Sequence, residues 1–290
     1  MNNPIIVLTG PTASGKTAIS LEIAKKFDCE IICADSMTVY KGMDIGTDKP
    51  GKSNIPHYLL DIVSPDEDFN VAIFVQRARG IITEIQNRGK IPLIVGGSVM
   101  YIDALVYDYQ MPEVAPNQKL RDELEIKTAD ELFAQLCELD PDCEWTIDRH
   151  NKRRLIRAIE ICLSTGKSLA EQKNKKQLPE NIIYFAVDRD REDLYNRINN
   201  RVDQMFAHGF VEEVRVLREK YDDSTALQAA GYRQIIQYLD GEIDLATAIS
   251  KTKQVHRNYA KRQLTWLHQN EDVNWIENSE EANQKIKGFI

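Results

Sequence analysis

Residues 10–17, GPTASGKT, combine two glycines, a lysine and a threonine at the spacing that binds phosphate groups. The glycines allow the backbone to turn so that successive N–H groups point inward, and Lys16 adds a positive charge. Thr17 offers a hydroxyl to a magnesium ion that bridges phosphate oxygens. The motif is a P-loop and predicts a diphosphate pocket, with an ordinary glycine turn as the alternative.

The segments around this loop are those that a P-loop needs. An apolar run at residues 5–8 precedes it and predicts a buried strand, and residues 18–24 follow with the apolar spacing of a helix. Apolar runs at residues 30–34, 91–95 and 182–187 predict further buried parallel strands. We therefore expect an α/β fold with a P-loop NTPase-like parallel sheet flanked by helices.

Two of these predicted strands end in residues that suit a substrate pocket. Asp35 and Ser36 follow residues 30–34, and the carboxyl ends of parallel strands face the ligand crevice. Asp35 is thus a candidate catalytic residue, although Asp-Ser is also typical of a turn or a helix cap. Residues 96–98, GGS, lack the acid that P-loop hydrolases commonly carry after such a strand. They either admit a bulky substrate close to the backbone or form a tight turn.

The middle of the chain predicts an inserted helical domain. Pro112 and Pro116 interrupt the pattern, and no strand is evident from there to Ile182. We expect an insertion at residues 113–180, with residues 1–112 and 181–290 forming the P-loop core and its C-terminal helices.

Charge is distributed unevenly along the chain. The formal net charge is −8, which by itself argues against a nucleic-acid partner. Residues 149–176 nevertheless carry nine Lys or Arg against two acids, and residues 249–270 carry five against none. These two segments predict basic surfaces.

Three arginines lie on the helix predicted at residues 151–163. Arg157 lies four residues after Arg153 and three after Arg154, and side chains at this spacing could contact successive phosphates. A solvated helix face is the alternative explanation. Lys173, Lys175 and Lys176 follow in a predicted loop.

Composition is that of a globular protein, with 42% hydrophobic and 28% charged residues. The five cysteines form no CxxC pair and no metal-binding spacing, so we predict free thiols, no disulfide framework and no zinc site. No export signal and no apolar run of membrane-spanning length is evident. We expect a cytoplasmic protein without a membrane partner.

Together the motifs resemble the tRNA dimethylallyltransferase family over nearly the whole chain. The matching segments are, in order, GPTASGKT at 10–17, DS at 35–36, YKGMDIGT at 40–47, GGS at 96–98, RRLIR at 153–157, GYRQ at 231–234 and KRQLTW at 261–266. The resemblance implies transfer of a dimethylallyl group from dimethylallyl diphosphate to N6 of adenosine 37, in the anticodon stem-loop of tRNA. It also implies Mg²⁺ as cofactor, and we expect a monomer.

The resemblance also assigns roles to residues. Asp35 would act as the base on N6, Thr12 would donate to the leaving oxygen, and Lys16 and Arg201 would hold the diphosphate, with Arg197 as the alternative to Arg201. Thr17 would bind the metal. The expected diphosphate-binding residues are Gly10, Pro11, Thr12, Ala13, Ser14, Gly15, Lys16 and Thr17. The expected tRNA-binding residues are Asp35, Ser36, Met37, Thr38, Ser98, Leu120, Arg153, Arg154, Leu155, Ile156, Arg157, Gly231, Tyr232 and Arg233.

Two positions depart from the family pattern. The family usually has Gln where this chain has Thr38, and Thr where it has Ser98. Ser98 keeps a hydroxyl, whereas Thr38 is shorter and lacks the amide. We expect the Thr38 departure to affect tRNA selectivity and to leave the reaction class unchanged.

Two other functions are compatible with a P-loop. A small-molecule or nucleotide kinase would use the same loop on ATP, although no arginine-rich lid motif is evident. A noncatalytic tRNA-binding protein or nucleotide switch would bind the same ligands without group transfer.

Overall fold

The computed structural model describes residues 3–51, 53–109, 112, 114–169, 176–221 and 224–290. The chain divides into two compact units, residues 1–106 together with 178–290, and residues 107–177. We call them the core unit and the insert unit. Lys173 and Lys175, which the sequence predicts to lie in a loop, are outside the described residues.

The core unit is built on a six-stranded sheet in which all strand pairs are parallel. The strands are β1 (Ile5–Thr9), β2 (Cys29–Cys33), β3 (His57–Tyr58), β4 (Ile91–Val95), β5 (Ile182–Val187) and β6 (Asn274–Ile276). Their order across the sheet is β3-β2-β4-β1-β5-β6. The prediction of a parallel α/β sheet is confirmed, and β5 does rejoin it beside β1.

The register of the sheet brings the motif-bearing loops to one edge. Leu8 of β1 and Cys33 of β2 both lie opposite Val95 of β4. The three strands therefore end at the same level, and the loops that follow them share the carboxyl edge of the sheet.

Helices cover this sheet and form the insert unit. They are α1 (Lys16–Phe27), α2 (Val71–Asn87), α3 (Val99–Val106), α4 (Gln118–Glu125), α5 (Ala129–Leu139), α6 (Cys143–Thr146), α7 (Lys152–Thr165), α8 (Arg191–Ala207), α9 (Phe210–Lys220), α10 (Tyr232–Leu239), α11 (Leu245–Leu267) and α12 (Ser279–Phe289), with a 3₁₀ turn at Thr225–Gln228. Helices α4 to α7 belong to the insert unit. No described helix has the length and apolar character needed to cross a bilayer.

Burial explains why the apolar runs became strands. Ile6, Leu8, Ile31, Leu93 and Phe185 are almost completely buried, because the sheet is covered on both faces. The sheet is thereby rigid enough to position loops at its edge.

Two of the six strands, β3 and β6, are not among the buried parallel strands that the apolar runs predict. The apolar residues 56–63 yield only the two-residue strand β3, since Leu59 and Asp61 take positive φ angles of 63° and 52° that end the extended backbone. The C-terminal strand β6 has three residues and no recognisable pattern, and it pairs with β5 at the sheet edge.

The insert unit has its own apolar core, which includes Leu124, Leu132, Leu136 and Ile159. Three of its four described helices, α4, α5 and α7, begin at a side-chain cap. At α5, for example, Thr128 and Glu131 form a reciprocal capping box.

The prediction of free thiols throughout is wrong for one pair in this unit. Cys137 near the end of α5 and Cys143 at the start of α6 form a disulfide, with Cα atoms 5.5 Å apart. The turn between the two helices brings the residues within bonding distance. Cys29, Cys33 and Cys162 are free and buried.

Candidate active site

The phosphate loop between β1 and α1 has the backbone that its glycines predict. Gly10 and Gly15 take φ angles of 143° and 93°, and Ala13 takes 62°. Gly15 also precedes α1, and no side chain caps that end of the helix. The first-turn amides of α1 are therefore free of a side-chain cap at the place where an anion would bind.

Lys16 folds back over this loop. Its Nζ donates to the carbonyl oxygens of Gly10 at 2.9 Å and Pro11 at 2.7 Å. Burial and, second, the positive charge of Arg201 lower the pKa of Lys16 to about 7, although Asp35 and Asp48 act in the opposite direction. A bound anion would favour the charged ammonium and offset both effects.

Arg201 on α8 reaches the same loop. Its Nη1 donates to Oγ1 of Thr12 at 2.6 Å, and its side chain is 19% exposed. Arg197, one turn earlier, forms an exposed ion pair with Asp193 at 2.8 Å. Of the two arginines, Arg201 is thus the one in contact with the phosphate loop.

Asp35 lies at the carboxyl end of β2, as the strand pattern predicts. Its Oδ1 accepts hydrogen bonds from the amides of Met37 at 2.8 Å and Thr38 at 3.3 Å. The carboxylate therefore does form a turn, as the alternative interpretation of Asp-Ser expects. Among the described residues no hydrogen bond reaches Oδ2, so a substrate can use that oxygen.

Two adjoining cavities meet at these residues. The first has a volume of about 560 Å³ and is lined by the phosphate loop, and the second has a volume of about 280 Å³. Both are lined by Thr12, Asp35, Thr47, Arg201 and Tyr259. Asp35 and the phosphate loop thus line the same cavity, so a carboxylate base lies beside the place where a diphosphate would bind.

The two glycines after β4 are needed for close packing. A Cβ on Gly96 would lie 1.9 Å from the carbonyl oxygen of Ala34, and one on Gly97 would lie 2.5 Å from Nε2 of Gln263. Ser98 accepts a hydrogen bond from the amide of Ser36 at 3.0 Å and is 8% exposed. The GGS segment therefore fixes the loop that carries Asp35.

Gln263 on α11 is a residue whose role the sequence did not reveal. Its Oε1 accepts from the amide of Thr12 at 2.9 Å, and its Nε2 donates to the carbonyl of Gly97 at 2.7 Å. One buried side chain thus joins the phosphate loop to the loop after β4. The KRQLTW motif contains the one signal for this role that the sequence offers. Its Gln carries an amide side chain, which can donate one hydrogen bond and accept another at the same time.

Glu213 on α9 is a second residue that sequence reasoning missed. Its carboxylate accepts from the amides of Asp44 at 2.9 Å, Ile45 at 2.6 Å and Gly46 at 3.0 Å, and from the hydroxyl of Tyr232 at 2.7 Å. A Cβ on Gly46 would lie 2.5 Å from the Tyr232 ring. The MDIGT and GYRQ motifs are therefore packed together, and Glu213 holds the loop that lines the cavities.

This loop also delivers a carboxylate to the first cavity. Asp48 lies 3.4 Å from Nε of Arg201 and lines the same space as the phosphate loop. Arg189, after β5, donates from Nε to the carbonyl of Ser14 at 3.1 Å and adds a further positive charge beside the loop. Neither residue belongs to a motif identified from the sequence.

The donor set at Thr17 suits a small hard cation. Thr17 is exposed at the start of α1 and lines the first cavity. Within the described ranges no group of three or more His, Cys, Asp or Glu could hold a metal by itself. A single hydroxyl beside a diphosphate site fits Mg²⁺, which usually keeps several waters and binds through substrate phosphates.

Thr38, one of the two positions expected to depart from the family pattern, lines the first cavity. It is 8% exposed, and its Oγ1 is buried without a hydrogen-bond partner among the described residues. Met37 beside it is half-buried and lines the second cavity. The hydroxyl of Thr38 is therefore available to a ligand.

The arginines of α7 do not share one environment. Arg153 and Arg154 are exposed. Arg157 instead donates to the carboxylate of Glu160 at 2.5 Å and to the carbonyl of Val114 at 3.1 Å. Arg157 precedes Glu160 by three residues on the same helix, and this spacing could have predicted the ion pair from the sequence.

Glu160 is fully buried and collects several donors. Arg121 donates to both its oxygens at 3.0 and 2.8 Å, and the amide of Asn117 donates at 2.7 Å. Burial opposes ionisation, but these bonds and that of Arg157 outweigh it and lower the pKa of Glu160 to about 2. Arg157 thus has a structural task within the insert unit.

Several residues expected to contact RNA have buried side chains. Leu155 and Ile156 belong to the core of the insert unit, and Leu120 packs against it. Tyr232 is fully buried beside Gly231 in the core unit. Contacts from these positions would involve the backbone, whereas Arg233 is exposed.

Lys176, one of the lysines predicted to lie in a basic loop, forms an ion pair with Asp108.

Known protein families match nearly all of the chain. The IPP transferase family model matches residues 38–270, and the isopentenyl transferase model matches residues 3–59. A tRNA dimethylallyltransferase of Anoxybacillus flavithermus is 45% identical over 97% of this chain and 93% of its own length. The Bacillus subtilis protein of that name is 40% identical over 99% and 96%.

Solved structures agree. The tRNA isopentenylpyrophosphate transferase of Bacillus halodurans superposes with a TM-score of 0.76 at 36% identity, over 99% of this chain and 96% of that one. A eukaryotic dimethylallyltransferase described as acting on tRNA gives 0.80 at 28% identity, over 96% and 74%. On the strength of its P-loop, its fold and these matches, the chain belongs to the IPP transferase family.

Proposed function

We propose that this protein transfers a dimethylallyl group from dimethylallyl diphosphate to N6 of adenosine 37 in tRNA and releases diphosphate. The observation that carries the proposal is that Thr12, Lys16, Asp35 and Arg201 line one cavity, and that three of them, Thr12, Asp35 and Arg201, also line a second. The names of the relatives support the same reaction.

The phosphate loop binds the donor. Loop amides, the Lys16 ammonium and the Arg201 guanidinium surround the diphosphate and stabilise the charge that develops as it leaves. The hydroxyl of Thr12 accepts from Arg201 and so keeps its hydrogen for the oxygen between the allyl carbon and the phosphorus. When bound at Thr17, Mg²⁺ supplies additional neutralisation of the phosphate oxygens.

Asp35 serves the acceptor. The N6 amine is a weak nucleophile because its lone pair is delocalised into the ring, so it needs a base. As N6 forms its bond to the allyl carbon, the bond from that carbon to oxygen breaks and diphosphate departs with the electron pair. Asp35 takes the proton from N6, while its two backbone hydrogen bonds keep the carboxylate in place.

Recognition of tRNA involves both units. Reaching Asp35 requires the target base to leave its stack, which costs a few kcal/mol. Phosphate contacts from Arg153 and Arg154 on the insert unit, and from Arg233 on the core unit, offset this cost. We assign the insert unit, residues 107–177, to tRNA binding, in place of the range 113–180 expected from the sequence.

The setting of the reaction follows from its substrate. We propose that the enzyme acts as a monomer in the cytoplasm, where tRNA is modified. The prediction that all cysteines are free thiols supported a reducing compartment, and the Cys137–Cys143 disulfide withdraws that support. The assignment to the cytoplasm therefore depends on the substrate alone.

One incubation tests the proposed reaction. The protein is mixed with Mg²⁺, dimethylallyl diphosphate and unmodified tRNA, and the tRNA is digested and analysed by mass spectrometry. A prenyl increment on a single adenosine, with diphosphate released only when both substrates are present, is expected. Absence of the increment would refute the proposal.

The same preparation separates the alternatives. With γ-labelled ATP, a kinase would transfer the label to an acceptor, whereas this enzyme would leave it on ATP. A noncatalytic binding protein would bind tRNA and yield neither product.

A further inference from the structure

His256 is a buried polar residue that neither the motifs nor the proposed mechanism uses. It lies on α11 and is 7% exposed. Its Nε2 is buried and has no hydrogen-bond partner among the residues that the structure describes. A buried nitrogen without a partner loses its hydrogen bonds to water and is destabilising unless a ligand or an ordered water replaces them.

The side chain lines the second cavity, which it shares with the catalytic candidates. Asp35, Thr12 and Arg201 face this space together with His256. Tyr259 adds aromatic surface. The volume of about 280 Å³ is near the lower end of the range for small-molecule pockets, ~300–1,000 Å³, and suits a single heterocycle.

We propose that Nε2 of His256 forms a hydrogen bond with the purine base of the target nucleotide in the second cavity. The inference rests on the proposed function, because it assumes that a base enters beside Asp35. It makes His256 a specificity-determining contact on the acceptor side of the reaction. The diphosphate lies on the other side, against the phosphate loop.

The electrostatic environment keeps this contact uncharged. Burial and, second, the charge of Arg201 lower the pKa of His256 to about 4, against a smaller opposing effect of the Ala230 backbone. At neutral pH the ring is therefore uncharged, with one donor and one acceptor nitrogen, of which one is engaged in a hydrogen bond with the Ala230 backbone and the other is left for the base. Such a group can pair with a neutral heterocycle without placing a second positive charge beside Arg201.

A binding cycle tests the contact without relying on turnover. Two anticodon stem-loop RNAs are compared, one with the target adenosine and one with an abasic site there, and their Kd values are measured for wild type and for His256→Phe. We expect wild type to bind the adenosine RNA more tightly than the abasic RNA. In His256→Phe the ratio of the two Kd values should be about tenfold smaller. His256→Gln, whose amide retains a donor and an acceptor, should keep most of it.

Controls separate the possible failures. His208→Phe changes an exposed histidine outside both cavities and should leave the preference intact. Inorganic diphosphate should bind wild type and His256→Phe equally. If His256→Phe fails to fold by circular dichroism, His256→Leu replaces it in the same cycle.

The outcomes are distinct. A preference for the adenosine RNA that is the same in wild type and His256→Phe, whether or not overall affinity falls, would overturn the inference, and so would a wild type that binds both RNAs equally. Failure of wild type to bind either RNA would instead refute the proposed function.

Discussion

The depressed pKa of Lys16 predicts that diphosphate affinity falls as the pH rises above 7. In the free protein the ammonium is disfavoured by burial and by Arg201, so it loses its proton near pH 7. Diphosphate binds the charged form, and its own charge favours the proton. Binding above pH 7 must therefore take up a proton from solvent, which weakens the apparent affinity.

The magnitude follows from the pKa of about 7. Lys16 is charged in about nine tenths of free molecules at pH 6 and in about one tenth at pH 8. Since the apparent Kd varies inversely with the competent fraction, it should rise about tenfold between these pH values. The free energy of unfolding, unlike the affinity, should increase as the pH rises from about 7 to 10.5. The reason is that the unfolded chain holds this proton up to about pH 10.5 and the folded chain loses it near pH 7.

Isothermal titration calorimetry with inorganic diphosphate at pH 6, 7 and 8 measures the effect. Lys16→Arg is the matched variant, because arginine keeps its charge across this range. The ratio of the wild-type Kd to the Lys16→Arg Kd should rise about tenfold from pH 6 to pH 8. Ionisation of the ligand and of all other protein groups affects both proteins and cancels in the ratio.

Two results would refute this reasoning. A ratio that stays constant with pH would show that Lys16 is already charged in the free protein. A wild-type enthalpy that does not depend on the ionisation enthalpy of the buffer at pH 8 would show that no proton is taken up.

Three further predictions concern the base, the RNA surface and the loop over the cavities. Asp35→Asn should reduce turnover by about a hundredfold or more with little change in tRNA affinity, and near-normal turnover would remove Asp35 as the base. Arg153→Gln combined with Arg154→Gln should reduce the slope of log Kd against log salt by about 0.7–0.9 per arginine, and an unchanged slope would exclude phosphate contacts. Glu213→Gln places an amide NH₂ against backbone N–H donors and should lower Tm by about 4 °C or more, whereas exposed Glu212→Gln should not, and equal Tm values would contradict this role.

The sequence was most informative where one short segment carries the whole physical signal. The phosphate loop depends on its own backbone and on the adjoining strand and helix, so residues 10–17 suffice to predict it. Strands β4 and β5 are continuous apolar runs bounded by turn residues, and the structure gives them the predicted limits. Placement of Asp35 at the cavity follows from the end of β2.

Features that join distant parts of the chain were not predictable. Gln263 and Glu213 form hydrogen bonds with backbone groups of loops that are distant in sequence. Since every residue has a backbone amide and carbonyl, residue types do not identify such partners. Arg197 and Arg201 lie four residues apart on one helix, and only packing distinguishes the one that reaches Thr12. The Cys137–Cys143 pair depends on the turn between two helices, which cysteine spacing alone does not specify.

Strand order has a consequence for how the newly made chain matures. The central strand β1 is synthesised first, yet its neighbours β4 and β5 begin only at Ile91 and Ile182. Such non-local pairing is slow, and an unpaired apolar strand is a site of aggregation. We therefore expect ribosome-released fragments that stop before β5 to be insoluble, and the nascent N-terminal segment to bind chaperones until β5 has left the ribosome.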